Sequence, residues 1–213
     1  ALSSRIEAFT EPDLDKLWVD PVLDLSDRPE DFKPYPLDKI TRHAPPGSKM
    51  LGGRYPHVTG LEHDEWGHPS GNPKMHQKMT DKRRNKLVEL AEKLPLPEIY
   101  GEQEGDVLLV GWGSSYGPIK ESVNRLRDEG HKVGAINLRH LHPMPARLDG
   151  IFAKFKNVVV VELNDVGVYG YGQLAMLLRA KLADPKIQSL CKTDGLNFRI
   201  REIVTGVEKV LAS

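Results

Sequence analysis

The hydrophobic positions of this chain change character near its middle. Before residue 80 they are scattered among prolines and acidic side chains, and from Asp106 onward they fall into regular patterns. Val107 to Val110 is an unbroken apolar run between turn signals, and Asn157 to Leu163 reads NVVVVEL. Continuous runs of this length predict strands buried on both faces, and four valines in a row suit a central parallel position. Val133 to Leu138 predicts another strand. Between the first and this one, Pro118 suits a helix's first turn. Ile119, Val123 and Leu126 then recur at helical spacing, and Gly130 offers a left-handed stop. Strand, glycine turn, helix, strand is a βαβ unit. Further on, Pro145 starts a helix over Ala146 to Phe155, and Leu174, Leu177, Leu178 and Leu182 mark an amphipathic one. Phe198 to Val204 predicts a last strand, and Gly206 leads into a short C-terminal helix. The expected fold class is α/β, a three-layer α/β/α arrangement with a mostly parallel sheet and an extended Pro-rich N-terminal arm.

Three regions follow from this pattern: an arm and connector over 1–79, a helix and linker over 80–105, and the α/β domain over 106–213. Most of the 16 prolines precede residue 100, and each disfavours helix for the residue before it. Trp18, Val22, Leu23, Leu25, Phe32 and Tyr35 give the arm hydrophobic anchors, so it wraps its own domain or lies on a partner subunit. Pro45-Pro46-Gly47 and Gly52-Gly53 mark turns. A helix is predicted over Thr80 to Leu94, capped by Thr80, with Leu87, Leu90, Ala91 and Leu94 as its apolar stripe. Lys82, Arg83, Arg84 and Lys86 then crowd its first turns against the helix dipole, which suggests an acidic or anionic partner, although a plain solvated face is the commoner outcome. Pro95 and Pro97 end it.

Charge and cysteine content narrow the classes. With 30 basic and 30 acidic side chains in 213 residues, nothing favours a nucleic-acid partner. The single cysteine, Cys191, excludes an intrachain disulfide and suits a reducing compartment. No apolar stretch is long enough to predict a membrane span. No basic-then-apolar leader opens the chain, so a cytoplasmic location is expected, with Ala1 as a processed or truncated start.

Three candidate loops follow strands and should share one rim: Gly111–Gly117, Arg139–Pro145 and Asn164–Gly172. The first reads Gly111-x-Gly113-x-x-x-Gly117, one residue too long for the dinucleotide fingerprint and without a phosphate-loop ending. A tight packing turn is favoured there over a ligand or subunit contact, and a stand-alone nucleotide- or anion-binding module using this loop is the alternative function. Glu162, ending the valine strand, is a candidate desolvated carboxylate. Glu62, His63, Asp64, Glu65 and His68, with His57 and His76 nearby, invite a metal reading. However, the histidines of HDEWGH stand five apart with Gly and Pro beside the second, unlike a helical zinc pair. A hydrogen-bonded loop crossing is favoured over a bound divalent ion or a metallohydrolase using His63, Glu65 and His68. No nucleophile–base pair is recognisable, and no catalytic residue or metal ligand is assigned.

The motifs GWGSSYGPIKE, INLRHLHPMP, VVVVELN and GQLAMLLR resemble the C-terminal domain of the alpha subunit of 2-oxoacid:ferredoxin oxidoreductases. TGLEHDEWGHPSGNP and KMTDKRRNKL are similar to the segment joining that domain to the preceding one. The 2-oxoglutarate type is nearest, and the resemblance covers at least Gly52 to Ser213. It implies a transketolase-C-like domain within an enzyme that oxidatively decarboxylates a 2-oxoacid, forms acyl-coenzyme A and reduces ferredoxin. Thiamine diphosphate, Mg and iron–sulfur clusters belong to that enzyme. A pyrimidine-binding domain would precede Ala1, with Ala1 to Phe9 as its exit, and the rest of alpha and the beta subunit would be partners. The carboxylate that activates thiamine would lie in the preceding domain, so this chain alone is expected to be silent and to bind no cofactor by itself. Gly111, Gly113, Ser114, Ser115, Arg139, His140, His142 and Tyr169 are the candidate contacts for coenzyme A or substrate within the complex, with an ordinary subunit-interface role favoured over that one.

Overall fold

A computed structural model describes residues 11–20, 32–40, 44–45, 47 and 55–212. The expected anchors Val22, Leu23 and Leu25, the exit over Ala1 to Phe9, and the turns at Pro46 and Gly52-Gly53 lie outside the described residues. The chain packs as two units, one over Phe9–Leu90 and one containing Ala91–Ser213.

The larger unit is a five-stranded sheet ordered β1-β3-β2-β4-β5. Its strands are β1 Tyr100–Gly101, β2 Gly105–Gly111, β3 Val133–Asn137, β4 Phe155–Glu162 and β5 Ile187–Cys191. β2 pairs in parallel with β3 (Val107 opposite Val133) and with β4 (Leu108 opposite Val158), and β4 pairs in parallel with β5 (Val158 opposite Ile187). Only the two-residue β1 runs antiparallel, with Tyr100 opposite Ala135. The expected mostly parallel α/β fold is therefore borne out.

Both faces of the sheet are covered, which is why its inner strands read as unbroken apolar runs. Leu108, Val110, Ile136, Val158 and Val160 face Leu148, Ile151 and Phe152 of helix α4 (Leu148–Phe152) and Leu174, Ala175 and Leu178 of α5 (Gln173–Leu182). Val107, Leu109, Val133, Ala135, Val159 and Val161 face Ile119, Val123 and Leu126 of α3 (Tyr116–Asp128) and Ile203 and Val207 of α6 (Ile200–Leu211). Successive residues alternate between these two cores because side chains on a strand point to opposite faces. Burying each such side chain contributes about 1.5–3 kcal/mol before entropy is counted.

Three expectations are corrected here. Phe198–Val204 is not a strand, and the C-terminal helix already starts at Ile200: Ile200, Ile203, Val204, Val207 and Leu211 lie at helical spacing, and the Arg199 N–H donates to Glu202 Oε2 at 2.8 Å to begin it. Their β-branched character imitates a strand, but the period is 3.6. The fifth strand is instead Ile187–Cys191, where polar residues break up the apolar run. The helix after Pro145 is one turn, Leu148–Phe152, because Phe155 already opens β4.

In the other unit, α1 is a single turn, Leu14–Leu17, capped by Asp13. Trp18 does not anchor the arm on its own unit: it is 73% exposed, its Nε1–H donating to Asp20 at 2.9 Å. Helix α2 spans Pro73–Lys93, not Thr80 onward. Asn72 Oδ1 accepts from the N–H groups of Lys74 and Met75, and Pro73 takes the first helical position, where it lacks only a donor the helix would not use. Lys82, Arg83, Arg84 and Lys86 are therefore mid-helix, and the dipole argument for an external anion falls.

Candidate functional site

Parallel pairing of β3, β2 and β4 carries the three candidate loops to one rim, at the carboxyl ends of the strands. The segment after β5 joins them there.

The Gly111–Gly117 loop is a tight turn, as its spacing suggested. A Cβ on Gly111 would stand 2.3 Å from Ile119 Cδ1, so this glycine permits close approach of α3 to its strand. Gly113 has φ of +59°, a conformation that favours glycine. Ser115 is buried; its Oγ donates to the Trp112 carbonyl at 2.9 Å and accepts from the Trp112 N–H at 3.3 Å. Ser115 is thus engaged within the turn, while Ser114 is half-buried beside it.

The Asn164–Gly172 loop leads into the one fully buried carboxylate of the described residues. Glu162, 1% exposed, accepts the N–H of Leu174 at 2.9 Å and of Ala175 at 3.0 Å, so its two oxygens cap α5. A Cβ on Gly172 would come within 2.4 Å of Glu162 Oε1 and 2.7 Å of Cys191 Sγ, so only glycine fits there. Burial, the first cause, holds the Cys191 thiol above its ordinary range. That is the behaviour of an inert cysteine. Tyr169 and Val168 project from the loop, 77% and 92% exposed.

The Arg139–Pro145 loop borders a cleft of about 350 Å³. Its walls are Pro95, Leu96, Pro97 and Glu98 on one side and Asn137, Leu138, Arg139, His140 and Pro145 on the other, with Tyr116 also lining it. The register of β1 on β3 explains the opening. Continued by two residues it would set Glu98 opposite Asn137, but pairing stops after Tyr100 and the proline-rich segment parts from the strand. Asn137 Oδ1 is buried without a hydrogen-bond partner. His142, although in the same loop, is not among the lining residues.

The acidic–histidine loop of the other unit is a hydrogen-bonded crossing. His63 Nδ1 lies 2.9 Å from the Asp64 carbonyl, and its ring packs against Tyr35, tilted by 40° with centroids 4.1 Å apart. Glu65 accepts from the Leu37 N–H at 3.1 Å and from Lys33 at 3.2 Å. Asp64 Oδ1 accepts the N–H groups of Trp66 and His68. Among the described residues, no group of three or more His, Cys, Asp or Glu is placed to hold a metal ion.

Glu62 is clamped by Arg83 at 2.7 and 3.2 Å and by His76. The Arg83 hydrogen bonds, then that of His76, hold its carboxyl down to about 2 from the ordinary 4.5. A carboxylate whose folded pKa is lowered contributes stability above its unfolded value, so this contribution is lost as pH falls from about 4.5 towards 2. Arg83→Ala is expected to return the Glu62 midpoint towards 4.5, read by carboxyl NMR titration; an unmoved midpoint would show that Arg83 is not the cause.

An iron–sulfur cluster, one of the groups the family resemblance implied, does not fit this chain. One cysteine cannot supply the four thiolates of an iron–sulfur cluster. The buried carboxylate has its oxygens on backbone amides and is not free to act on a cofactor.

Residues 105–203, from β2 into α6, match the family model described as pyruvate:ferredoxin oxidoreductase core domain II. The chain is 33% identical to 2-oxoacid:ferredoxin oxidoreductase 2, subunit alpha, of Aeropyrum pernix, over 99% of its own length and 32% of that protein. It is 34% identical to 2-oxoglutarate oxidoreductase subunit KorA of Mycobacterium tuberculosis, over 100% of this chain and 31% of that one. The 2-oxoglutarate:ferredoxin oxidoreductase of Magnetococcus marinus, solved with 2-oxoglutarate, coenzyme A and succinyl-CoA bound, superposes with a TM-score of 0.73. That match has 34% identity, over 89% of this chain and 32% of that chain. The chain belongs to the 2-oxoacid:ferredoxin oxidoreductase alpha-subunit family. It spans about a third of the length of these relatives.

Of the contacts the oxidoreductase resemblance suggested, Arg139 and His140 share one cleft. Gly111, Gly113, Ser114, Ser115, His142 and Tyr169 stand on the same rim but do not line it. The sequence reading of this chain missed Asn137 and Glu98. Asn137, although inside the INLRHLHPMP motif, is the last residue of an apolar strand, and Glu98 lies in what reads as linker, so neither stood out as a site residue. Among the described residues no helix is long and apolar enough to cross a membrane.

Proposed function

We propose that this chain works within the alpha subunit of a thiamine-diphosphate-dependent, Mg-requiring 2-oxoacid:ferredoxin oxidoreductase of the 2-oxoglutarate type. In that complex a 2-oxoacid is oxidatively decarboxylated, the acyl group passes to coenzyme A, and electrons reach ferredoxin through iron–sulfur clusters. The reacting groups belong to the rest of alpha and to beta, and the cytoplasm is the setting. The share of this chain is assembly. It supplies a rigid α/β domain whose Asn164–Gly172 loop faces neighbours, and an arm laid on a neighbouring surface.

The observation that carries the reading is the one-third identity that runs across the whole chain to alpha subunits. Exposed apolar side chains add support: Leu14, Leu17, Trp18 and Val19 on the arm, and Val168 and Tyr169 on the rim, are more than half exposed. So many large apolar groups left to water mark a contact surface. The test is the complex purified with this sequence as part of its alpha subunit, assayed for coenzyme-A-dependent ferredoxin reduction. Activity with 2-oxoglutarate exceeding that with pyruvate is expected, and none from the 213 residues alone. Turnover by the chain alone would overturn the division of labour.

A further inference from the structure

The cleft between the Pro95–Glu98 segment and the end of β3 has no role in the function proposed above. Four features describe what it would take. Its size, about 350 Å³, falls in the about 300–1,000 Å³ range of small-molecule sites. Arg139 and His140 at its mouth are exposed and, among the described residues, make no ion pair or hydrogen bond. Glu98, on the facing wall, is likewise exposed and without such a partner there. The Asn137 amide holds the one buried side-chain oxygen or nitrogen among the described residues that lacks a hydrogen bond. An amide oxygen left like this is destabilising until a donor reaches it, and the soft χ2 of asparagine allows it to turn towards one.

An arginine cation beside an imidazole, a carboxylate across from them, an amide in search of a donor and walls of proline and Tyr116 are complementary to one kind of ligand. Phosphate suits Arg139 and His140. Ribose hydroxyls suit Glu98, since a carboxylate accepts from both. A base carrying an exocyclic amine suits Asn137, and its flat faces suit Pro97 and the Tyr116 ring. We propose that this cleft binds an adenosine 5′-phosphate with its ribose hydroxyls free. The nucleotide site is thus placed beside β3 and not on the Gly111–Gly117 turn. The proposal stands apart from the 2-oxoacid reading, because its ligand is not coenzyme A, whose ribose 3′-hydroxyl is phosphorylated and would meet Glu98.

The test is calorimetric titration of the full chain with AMP, adenosine, inorganic phosphate and coenzyme A. One AMP should bind at least tenfold more tightly than any of the other three. Arg139→Gln, at an exposed position where folding is not at stake, should weaken AMP at least tenfold at an unchanged Tm. Glu98→Gln should narrow the gap between AMP and coenzyme A, and Asn137→Ser should weaken AMP but not inorganic phosphate. Phosphate binding as tightly as AMP would overturn the proposal by reducing the site to a charge contact. Coenzyme A binding more tightly than AMP, or an Arg139→Gln variant that binds AMP normally, would also overturn it. These readouts need no turnover, so they are independent of the assay for ferredoxin reduction.

Discussion

Glu162→Ala is expected to lower the unfolding free energy by about 3–5 kcal/mol, seen as a large fall in the urea midpoint. The reason is local. The two carboxylate oxygens are the acceptors for the Leu174 and Ala175 N–H groups, in a place where Glu162 is 1% exposed. Each donor left unsatisfied costs about 1–3 kcal/mol, and the truncated side chain adds a cavity. The Gly172 backbone packs tightly against the carboxylate, where an added Cβ would stand 2.4 Å from Glu162 Oε1. Glu162→Gln keeps one carbonyl oxygen but turns an NH₂ on a backbone donor, so a loss of about 1–3 kcal/mol is expected. Should the alanine variant lose less than about 1 kcal/mol, the capping role is wrong.

Phe152→Ala carries an effect of similar size by a different route. Phe152 is 1% exposed on the one-turn helix α4 and packs in the core with Leu108, Val158 and Leu178. Removing a buried phenyl ring costs about 3–5 kcal/mol, the lost transfer energy plus the cavity that a close-packed core cannot collapse. Leu177→Ala is the matching control. Leu177 lies on α5 but is 56% exposed, so its truncation should change stability by less than about 0.5 kcal/mol. Denaturant melts of the two variants separate burial from mere hydrophobicity.

The inner sheet could be read from the chain because both its faces are covered: a strand with no wet side has no polar alternation to blur it. That is why Val107–Val110 and the four valines from Val158 stood out, with boundaries off by only a residue or two. The edge was harder. β5 borders β4 on one side only, and Gln188 and Ser189 interrupt its apolar character, so it did not read as a strand. The error at Phe198–Val204 came from weighing β-branched composition above the three- and four-residue spacing. At α2, Thr80 reads as the cap and draws attention away from the Asn72-Pro73 pair that starts the helix earlier in the chain. The site divided in the same way. Arg139 and His140 were visible as unusual residues in a loop after a strand. Asn137 and Glu98 became meaningful only through a register that stops short, which depends on segments separated by more than 30 positions.

The strand order carries a consequence for how the protein is made. β2 sits between β3 and β4, and both of its partners are encoded after it. During synthesis, its row of valine and leucine therefore leaves the ribosome with neither edge satisfied. The second edge waits for β4, about fifty residues later, roughly 3–10 s at about 5–20 residues per second. Through that interval the nascent chain presents an adhesive ribbon that a holdase chaperone would shield, and slow codons between β3 and β4 would lengthen the exposure.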